Sequence, residues 1–270
     1  FMNLREHPRY KKTVTDIEIE LIKKNSAKFI GAYQGKSFNL IDMGCGAGKK
    51  AKVFLESLKG NEKIRYCPVS PNKSLVELSM KNIRERKLSN VKDYKPFVAN
   101  LNSLHEVASM MRNGGYPTNA ILLFGSILAS FEIHDYLFNL GKEMFNGDCL
   151  IIGNGIREGE RFANLENYKH PLFNQWLVHT IKELGFQEKD LEYDARFANG
   201  RVECYYKIKA DKKIKAETRS IEIKNGDEII VAVLYKYFEN ELKEICERYF
   251  SKVSLEKDSE NEYALIFCMK

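Results

Sequence analysis

The 270-residue chain has six cysteines, at positions 45, 67, 149, 204, 246 and 268, and no two of them form a Cys-x-x-Cys pair. That scatter excludes a zinc ribbon and a disulfide framework as the basis of the fold. No apolar run approaches the roughly 18–20 residues that a bilayer span requires, and no signal-peptide pattern opens the sequence. Internal repeats and low-complexity tracts are also missing, which sets aside solenoid and disordered classes. No Ser/His/Asp set or pair of carboxylates stands out as catalytic machinery. The expectation is a cytoplasmic protein with reduced, buried thiols, no metal and no membrane association.

What remains is the composition of a globular protein, 44% hydrophobic and 30% charged, long enough for one large domain or a domain with an insert. Its 43 basic and 37 acidic side chains leave a formal charge of +6. Lysines cluster at 49–52 and 207–215 without the interleaved aromatics of an RNA platform. A solvated surface, rather than a nucleic-acid patch, is expected.

Residues 38–50 carry the sharpest signal. The apolar run Phe38–Ile41 ends in Asp42, and Gly44, Gly46 and Gly48 then alternate before a Lys-rich helix opens at Lys49. A strand turning sharply into a helix needs glycine for the bend and for close backbone approach to a ligand. The spacing fits neither the Gly-x-Gly-x-x-Gly of dinucleotide binders nor a P-loop, because no Ser or Thr follows Lys49-Lys50. An acid just before the first glycine is poorly placed for a phosphate and well placed for a ligand hydroxyl or amine.

Around this loop the pattern predicts an N-terminal helix over 13–30 and a helix over 51–58. Strands over 63–69, 94–99, 120–124 and 149–152 alternate with helices over 74–86, 104–111 and 135–144. Such alternation implies βαβ units and an α/β, Rossmann-like, doubly wound parallel sheet. After Gly155 the rhythm changes. A helix over 173–184 precedes a hairpin, 191–197 and 201–209, joined at Asn199-Gly200, with further strands over 219–223 and 228–234. A helix over 238–249 and a closing antiparallel pair, 253–257 and 263–269, end the chain. The expected division is a core of 1–155 plus 237–270, with an α+β insert of 156–236.

The Asp42-to-Gly48 segment resembles motif I of the class I S-adenosylmethionine (SAM) methyltransferases. Over most of the chain, from Tyr10 onward, the sequence is similar to the histidine-specific SAM-dependent methyltransferase family. Gly44, Gly46 and Lys50 mirror that family's Gly-x-Gly-x-x-x-Lys loop, and Tyr66-Cys67-Pro68-Val69-Ser70 echoes its Tyr-x-Pro-Val-Asp strand. Phe124-Gly125-Ser126 with Ser130, Arg201-Val202-Glu203 and Tyr235-Lys236-Tyr237 match further segments in the same order. The resemblance implies a class I methyltransferase core, an inserted substrate domain, SAM as methyl donor and S-adenosylhomocysteine as product. It implies cofactor contacts from Asp42, Gly44, Cys45, Gly46, Gly48, Lys50, Ser70, Asn100, Leu101, Gly125 and Ser126.

Departures from the family pattern bear on the substrate. Ser70 replaces the acid that receives the ribose hydroxyls, and Asn100 replaces an Asp near the adenine, so donor binding is expected to be weaker by about 1–2 kcal/mol. Ser130 replaces an Asn, and Ala232 and Leu234 replace the Glu and Ser that read the imidazole, so an acceptor other than histidine is expected. Candidate acceptor-binding residues are Tyr10, Ser130, Phe131, Tyr168, Phe173, Trp176, Tyr206 and Tyr237. Tyr168, Ser130, His170 and Tyr206 are also candidates for a catalytic role, since methyl transfer needs alignment and desolvation more than acid–base chemistry. The predicted function is methylation, at nitrogen, of a small amine-bearing or amino-acid-like molecule. An RNA or protein methyltransferase and a non-catalytic binding protein of the same fold are the alternatives.

Overall fold

A computed structural model describes residues 8, 11, 15–58, 61–157, 165–216, 219–260 and 262–270. Two compact units are present, one formed by 14–156 with 238–270 and the other containing 157–237.

In the first unit, helix α1 (Asp16–Ile30) precedes strand β1 (Ser37–Met43), in which every residue after Ser37 is buried. Burial on both faces explains why Phe38, Leu40 and Ile41 do not alternate with exposed polar residues, and the buried Asn39 among them donates to Asn119 Oδ1 at 2.9 Å. Helix α2 (Lys49–Ser57) opens directly from the glycine loop and buries Lys50, Ala51, Phe54 and Leu55. Strand β2 (Lys63–Ser70) leads to helix α3 (Lys73–Arg84), capped by the Asn72 side chain, which accepts from the Leu75 N–H at 3.3 Å. Two short strands follow, β3 (Val91–Tyr94) and β4 (Phe97–Val98), then helix α4 (Leu104–Met110), β5 (Thr118–Leu123), α5 (Ile133–Glu143) and β6 (Cys149–Gly155).

The strand expected over 94–99 is thus split in two. Tyr66 pairs with Tyr94 and Val69 with Phe97, so the break at Lys95-Pro96 faces Cys67-Pro68. Proline has no N–H to give a ladder, and two prolines at one level end the pairing there.

The second unit begins with the short helix α6 (Leu165–Lys169) and α7 (Pro171–Lys182), with Pro171 in its first turn. Strands β7 (Leu191–Ala198) and β8 (Arg201–Ile208) turn at Asn199 and Gly200, both at positive φ, as a tight hairpin requires. Strands β9 (Lys212–Ala216) and β10 (Arg219–Ile223) form a separate ribbon, and β11 (Glu228–Tyr235) completes a three-stranded antiparallel sheet ordered β11-β8-β7. The pattern reading did not anticipate β9, because Lys212-Lys213-Ile214-Lys215 reads as solvated charge. Pairing with β10 supplies what propensity lacks, including Lys213 against Glu222 at 3.5 Å.

Val202, Cys204, Tyr206 and Ile208 alternate inward along β8 and pack with Phe173, Leu177, Val178 and Ile181 of α7. Each such side chain contributes about 1.5–3 kcal/mol by leaving water. On the other face Glu203, 3% exposed, is held by Arg201 at 2.7 Å and Arg196 at 2.9 Å, and their hydrogen bonds, Arg201's foremost, keep its carboxyl below the usual range.

The chain returns to the first unit with helix α8 (Glu239–Glu247) and the hairpin β12 (Lys252–Lys257) and β13 (Tyr263–Met269). The main sheet runs β12-β13-β6-β5-β1-β2-β3, with β4 also on β2, and is parallel except where β13 joins β6 and β12. From β1 the chain passes outward to β2 and β3, then returns to β5 and β6 on the other side. Strand order reverses at β1, and the crevice beyond the carboxyl ends of β1 and β5 is where such sheets take ligands.

Candidate functional site

The loop after β1 is shaped by three glycines at positive φ, Gly44 at 69°, Gly46 at 52° and Gly48 at 72°. Gly44 and Cys45 donate their N–H groups to the Val69 carbonyl at 2.9 and 3.2 Å, so the end of β2 holds the bend. At Gly44 and Gly48 the space beside the backbone is also tight. A methyl on Gly44 would overlap the end of Ile127, with Leu101 at 3.6 Å, and one on Gly48 would stand 2.5 Å from the Ser79 hydroxyl.

Asp42 lies beneath this bend, 4% exposed. Its carboxylate accepts from the Tyr66 hydroxyl at 2.7 Å, and that hydroxyl lies 2.6 Å from Ser79 Oγ. Burial, and then the charge of Asp42, push the Tyr66 hydroxyl well above its ordinary pKa. A chain of polar contacts therefore braces the loop from behind, and Asp42 belongs to it. Cys45 is buried, with its thiol facing the Leu75 carbonyl at 4.0 Å.

Neighbouring strands bring the other residues to the same edge. Ser70 ends β2, and its hydroxyl accepts from the Asn72 N–H at 3.1 Å. The Ala99 N–H donates to the Ser70 carbonyl at 3.1 Å, which sets Asn100 and Leu101 just beyond β4. After β5, Gly125 (φ 83°) and Ser126 (φ 57°) make a left-handed turn. The Ser126 hydroxyl accepts from the Gly155 N–H at 3.0 Å, tying that turn to β6. Gly125 also leaves room for the Lys50 ammonium, which a methyl there would approach to 2.9 Å.

The eleven residues proposed for cofactor contact thus fall at the ends of four neighbouring parallel strands and the turns that follow them. Backbone at glycine, apolar Leu101 and Ile127, a cation at Lys50 and a hydroxyl at Ser70 suit a nucleoside carrying an amino-acid tail. Ser70 fits less well than a carboxylate would, because a hydroxyl that already accepts from Asn72 keeps one lone pair for a diol whose two O–H groups both donate, whereas a carboxylate offers two oxygens.

A family model described as histidine-specific, SAM-dependent methyltransferase matches residues 1–270. The chain belongs to that family. SAM is therefore its methyl donor, and the doubly wound core is that of the class I enzymes. Solved structures resemble this methyltransferase in fold. A SAM-dependent methyltransferase from Clostridium acetobutylicum ATCC 824 is 10% identical, with 99% of this chain and 96% of that chain covered and a TM-score of 0.50. The CurJ carbon methyltransferase is also 10% identical, with 99% of this chain and 56% of that longer chain covered and a TM-score of 0.50. Among curated protein sequences none matches this methyltransferase. No helix among its described residues is long and apolar enough to cross a membrane, and these residues hold no cluster of metal-binding side chains.

The residues proposed for the acceptor are spread across both units. Tyr10 lies outside the described residues. Ser130 is exposed at the end of the turn after β5, and Phe131 stacks on Tyr136 at 4.6 Å, whose hydroxyl donates to the Leu101 carbonyl at 3.3 Å. In the second unit Tyr168 and Phe173 have ring centroids 5.1 Å apart, and half-exposed Trp176 follows at 6.2 Å from Phe173.

Tyr206 is placed inside the apolar cluster, 1% exposed, with its hydroxyl on Asn174 Oδ1 at 2.7 Å. Tyr237 is buried and stacks near Tyr235 at 6.3 Å. His170 caps α7, its Nδ1 accepting from the Leu172 N–H at 3.3 Å. In that posture its ring serves a helix end.

Two residues with special surroundings lie outside the proposed site set. Lys236 is 4% exposed, with its ammonium 5.6 Å from the Tyr168 ring, and burial lowers its pKa to about 8. Glu18 on α1 is fully buried, accepts from the Gly125 N–H at 2.8 Å and pairs with Lys50. The available signal was its place in the helix. Glu18, Leu21, Ile22, Asn25 and Ser26 share the buried stripe of α1, and an acid on such a stripe requires a partner.

Proposed function

We propose that this enzyme transfers a methyl group to the nitrogen of a small amine-bearing or amino-acid-like molecule other than histidine. In this reading the acceptor is met by the aromatic side chains Tyr168, Phe173 and Trp176 of residues 157–237. One observation carries the exclusion of histidine. Ala232 and Leu234 on β11 lie among the apolar neighbours of the Phe173–Ile208 cluster, at the positions where the family pattern has Glu and Ser. An imidazole reader needs hydrogen-bonding groups there, and an apolar pair favours a ligand without them.

When bound, SAM supplies an electrophilic methyl on a sulfonium. In this reading the backbone at Gly44, Gly46 and Gly48 receives the donor closely, with Cys45 and the braced Asp42 fixing the curvature. Ser70 and Asn100 meet the ribose and adenine, Leu101 covers an apolar face, and Lys50 with Gly125 and Ser126 meets the amino-acid end. Tyr168, Phe173 and Trp176 give an aromatic surface that excludes water from an amine, which must be unprotonated to attack. His170, Tyr206 and Tyr237 shape the unit without touching the reacting atoms. The buried thiols suit a reducing cytoplasm.

The test is a screen of amine-bearing metabolites, histidine and total RNA with methyl-labelled SAM, followed by mass spectrometry of the labelled product. The reading expects a label on the nitrogen of a small molecule. Label on histidine or RNA refutes it, and so does the absence of transfer by enzyme that binds S-adenosylhomocysteine.

A further inference from the structure

Glycine inside a strand weakens it and calls for a reason. Gly153, in the middle of β6, has one. A methyl on it would overlap the Glu18 carboxylate and lie 3.1 Å from the Tyr263 hydroxyl. A methyl on Gly125 would come within 2.9 Å of the Lys50 ammonium. Gly153 on β6 and Gly125 in the turn after β5 therefore flank one buried ion pair, Glu18 with Lys50, at the carboxyl edge of the sheet.

The pair divides its labour. Glu18 is 0% exposed, whereas Lys50 on the first turn of α2 keeps 9%. The Glu18 carboxylate joins α1 to α2 through Lys50 and to the β5 turn through the Gly125 N–H at 2.8 Å. A lysine on a four-carbon stem has many rotamers, and a fixed buried counter-charge selects one. Glu18 itself cannot reach a ligand, so anything it does for one passes through Lys50 and the Gly125–Ser126 turn.

We propose that Glu18 is a positioning residue of the methyl-donor site, holding Lys50 so that an N–H of its ammonium meets the carboxylate at the amino-acid end of the donor. This rests on the reading that Lys50 and Gly125 border the donor. Two ligands separate the proposal from that reading: S-adenosylhomocysteine, which has the amino-acid end, and 5′-methylthioadenosine, which lacks it.

Binding of both would be titrated calorimetrically to the full-length wild type, E18Q, E18D, K50M and the double variant E18Q/K50M, with circular dichroism to verify folding. Loss of one charge-assisted contact predicts S-adenosylhomocysteine weakened about 10-fold or more in E18Q, and 5′-methylthioadenosine changed less than about 3-fold. E18D, which keeps the charge, recovers part of the loss, and E18Q/K50M binds no more weakly than K50M alone. Should E18Q fail to fold, the comparison of E18Q/K50M with K50M, neither of which keeps the pair, decides the matter.

Unchanged S-adenosylhomocysteine binding in E18Q overturns the proposal. Equal loss of both ligands by folded E18Q does so too, as does a double variant clearly weaker than K50M. Wild type that binds neither ligand overturns the underlying reading of the site.

Discussion

Replacing Tyr66 with Phe removes one hydroxyl and nothing else from the brace behind the glycine loop. Tyr66 is 0% exposed, its hydroxyl donates to Asp42 at 2.7 Å, and Ser79 Oγ lies 2.6 Å from it. Phenylalanine keeps the ring and its packing, so no cavity larger than an oxygen is left. The loss is one hydrogen bond to a buried carboxylate, about 1.5–3 kcal/mol. Urea unfolding of wild type and Y66F at pH 7–9 should show that difference in stability. The pH dependence carries a second signature. Burial and Asp42 raise the folded-state pKa of Tyr66 above its unfolded value. Stability from the retained proton is therefore complete below about pH 10, the unfolded value, and is lost as pH rises beyond it. The gap between wild type and Y66F should narrow above about pH 10. A gap under about 0.5 kcal/mol at pH 7, or one that widens in alkali, would refute the bracing role of the Tyr66–Asp42 contact.

Three other changes test neighbouring parts of the argument. G48A forces a side chain into a left-handed position (φ 72°) and toward the Ser79 hydroxyl at 2.5 Å; it should cost about 1–3 kcal/mol in urea unfolding and weaken S-adenosylhomocysteine in titration. S70D supplies a second acceptor oxygen beside the one engaged by Asn72, and calorimetry should show S-adenosylhomocysteine binding about 5–30-fold tighter. Lys236 titrates near 8 when folded, below its ordinary 10.5, so the unfolded chain binds more protons between those values. Wild-type stability should rise relative to K236M across that window, and parallel unfolding curves at pH 8 and 10.5 would exclude it.

Strands that are buried on both faces appear in a sequence as largely apolar runs, so Phe38–Ile41 (apolar apart from Asn39), Ala120–Phe124 and Cys149–Ile152 are legible from the sequence. The glycine loop was legible for a different reason, since alternating glycines after an acid have few other uses. Charged elements were less readable. Lys212–Ala216 becomes a strand only because Arg219–Ile223 pairs with it, a contact that composition cannot express. For Tyr206 the sequence offers an aromatic ring and a hydroxyl, and only the fold shows that the hydroxyl donates to Asn174 inside the apolar cluster.

The amino-acid sequence by itself determined the alternation of strands and helices in the core and the bend at Gly44–Gly48, because these depend on local backbone limits and on burial pattern, and its motifs carry the membership in a methyltransferase family. Tertiary structure alone decided which distant groups share one charge environment. Glu18, Lys50, Gly125 and Gly153 are separated by up to 135 positions (153 less 18) and meet at one corner of the sheet. An ion pair of that kind leaves no spacing rule behind, since the strand order that closes it is set by packing of the whole unit.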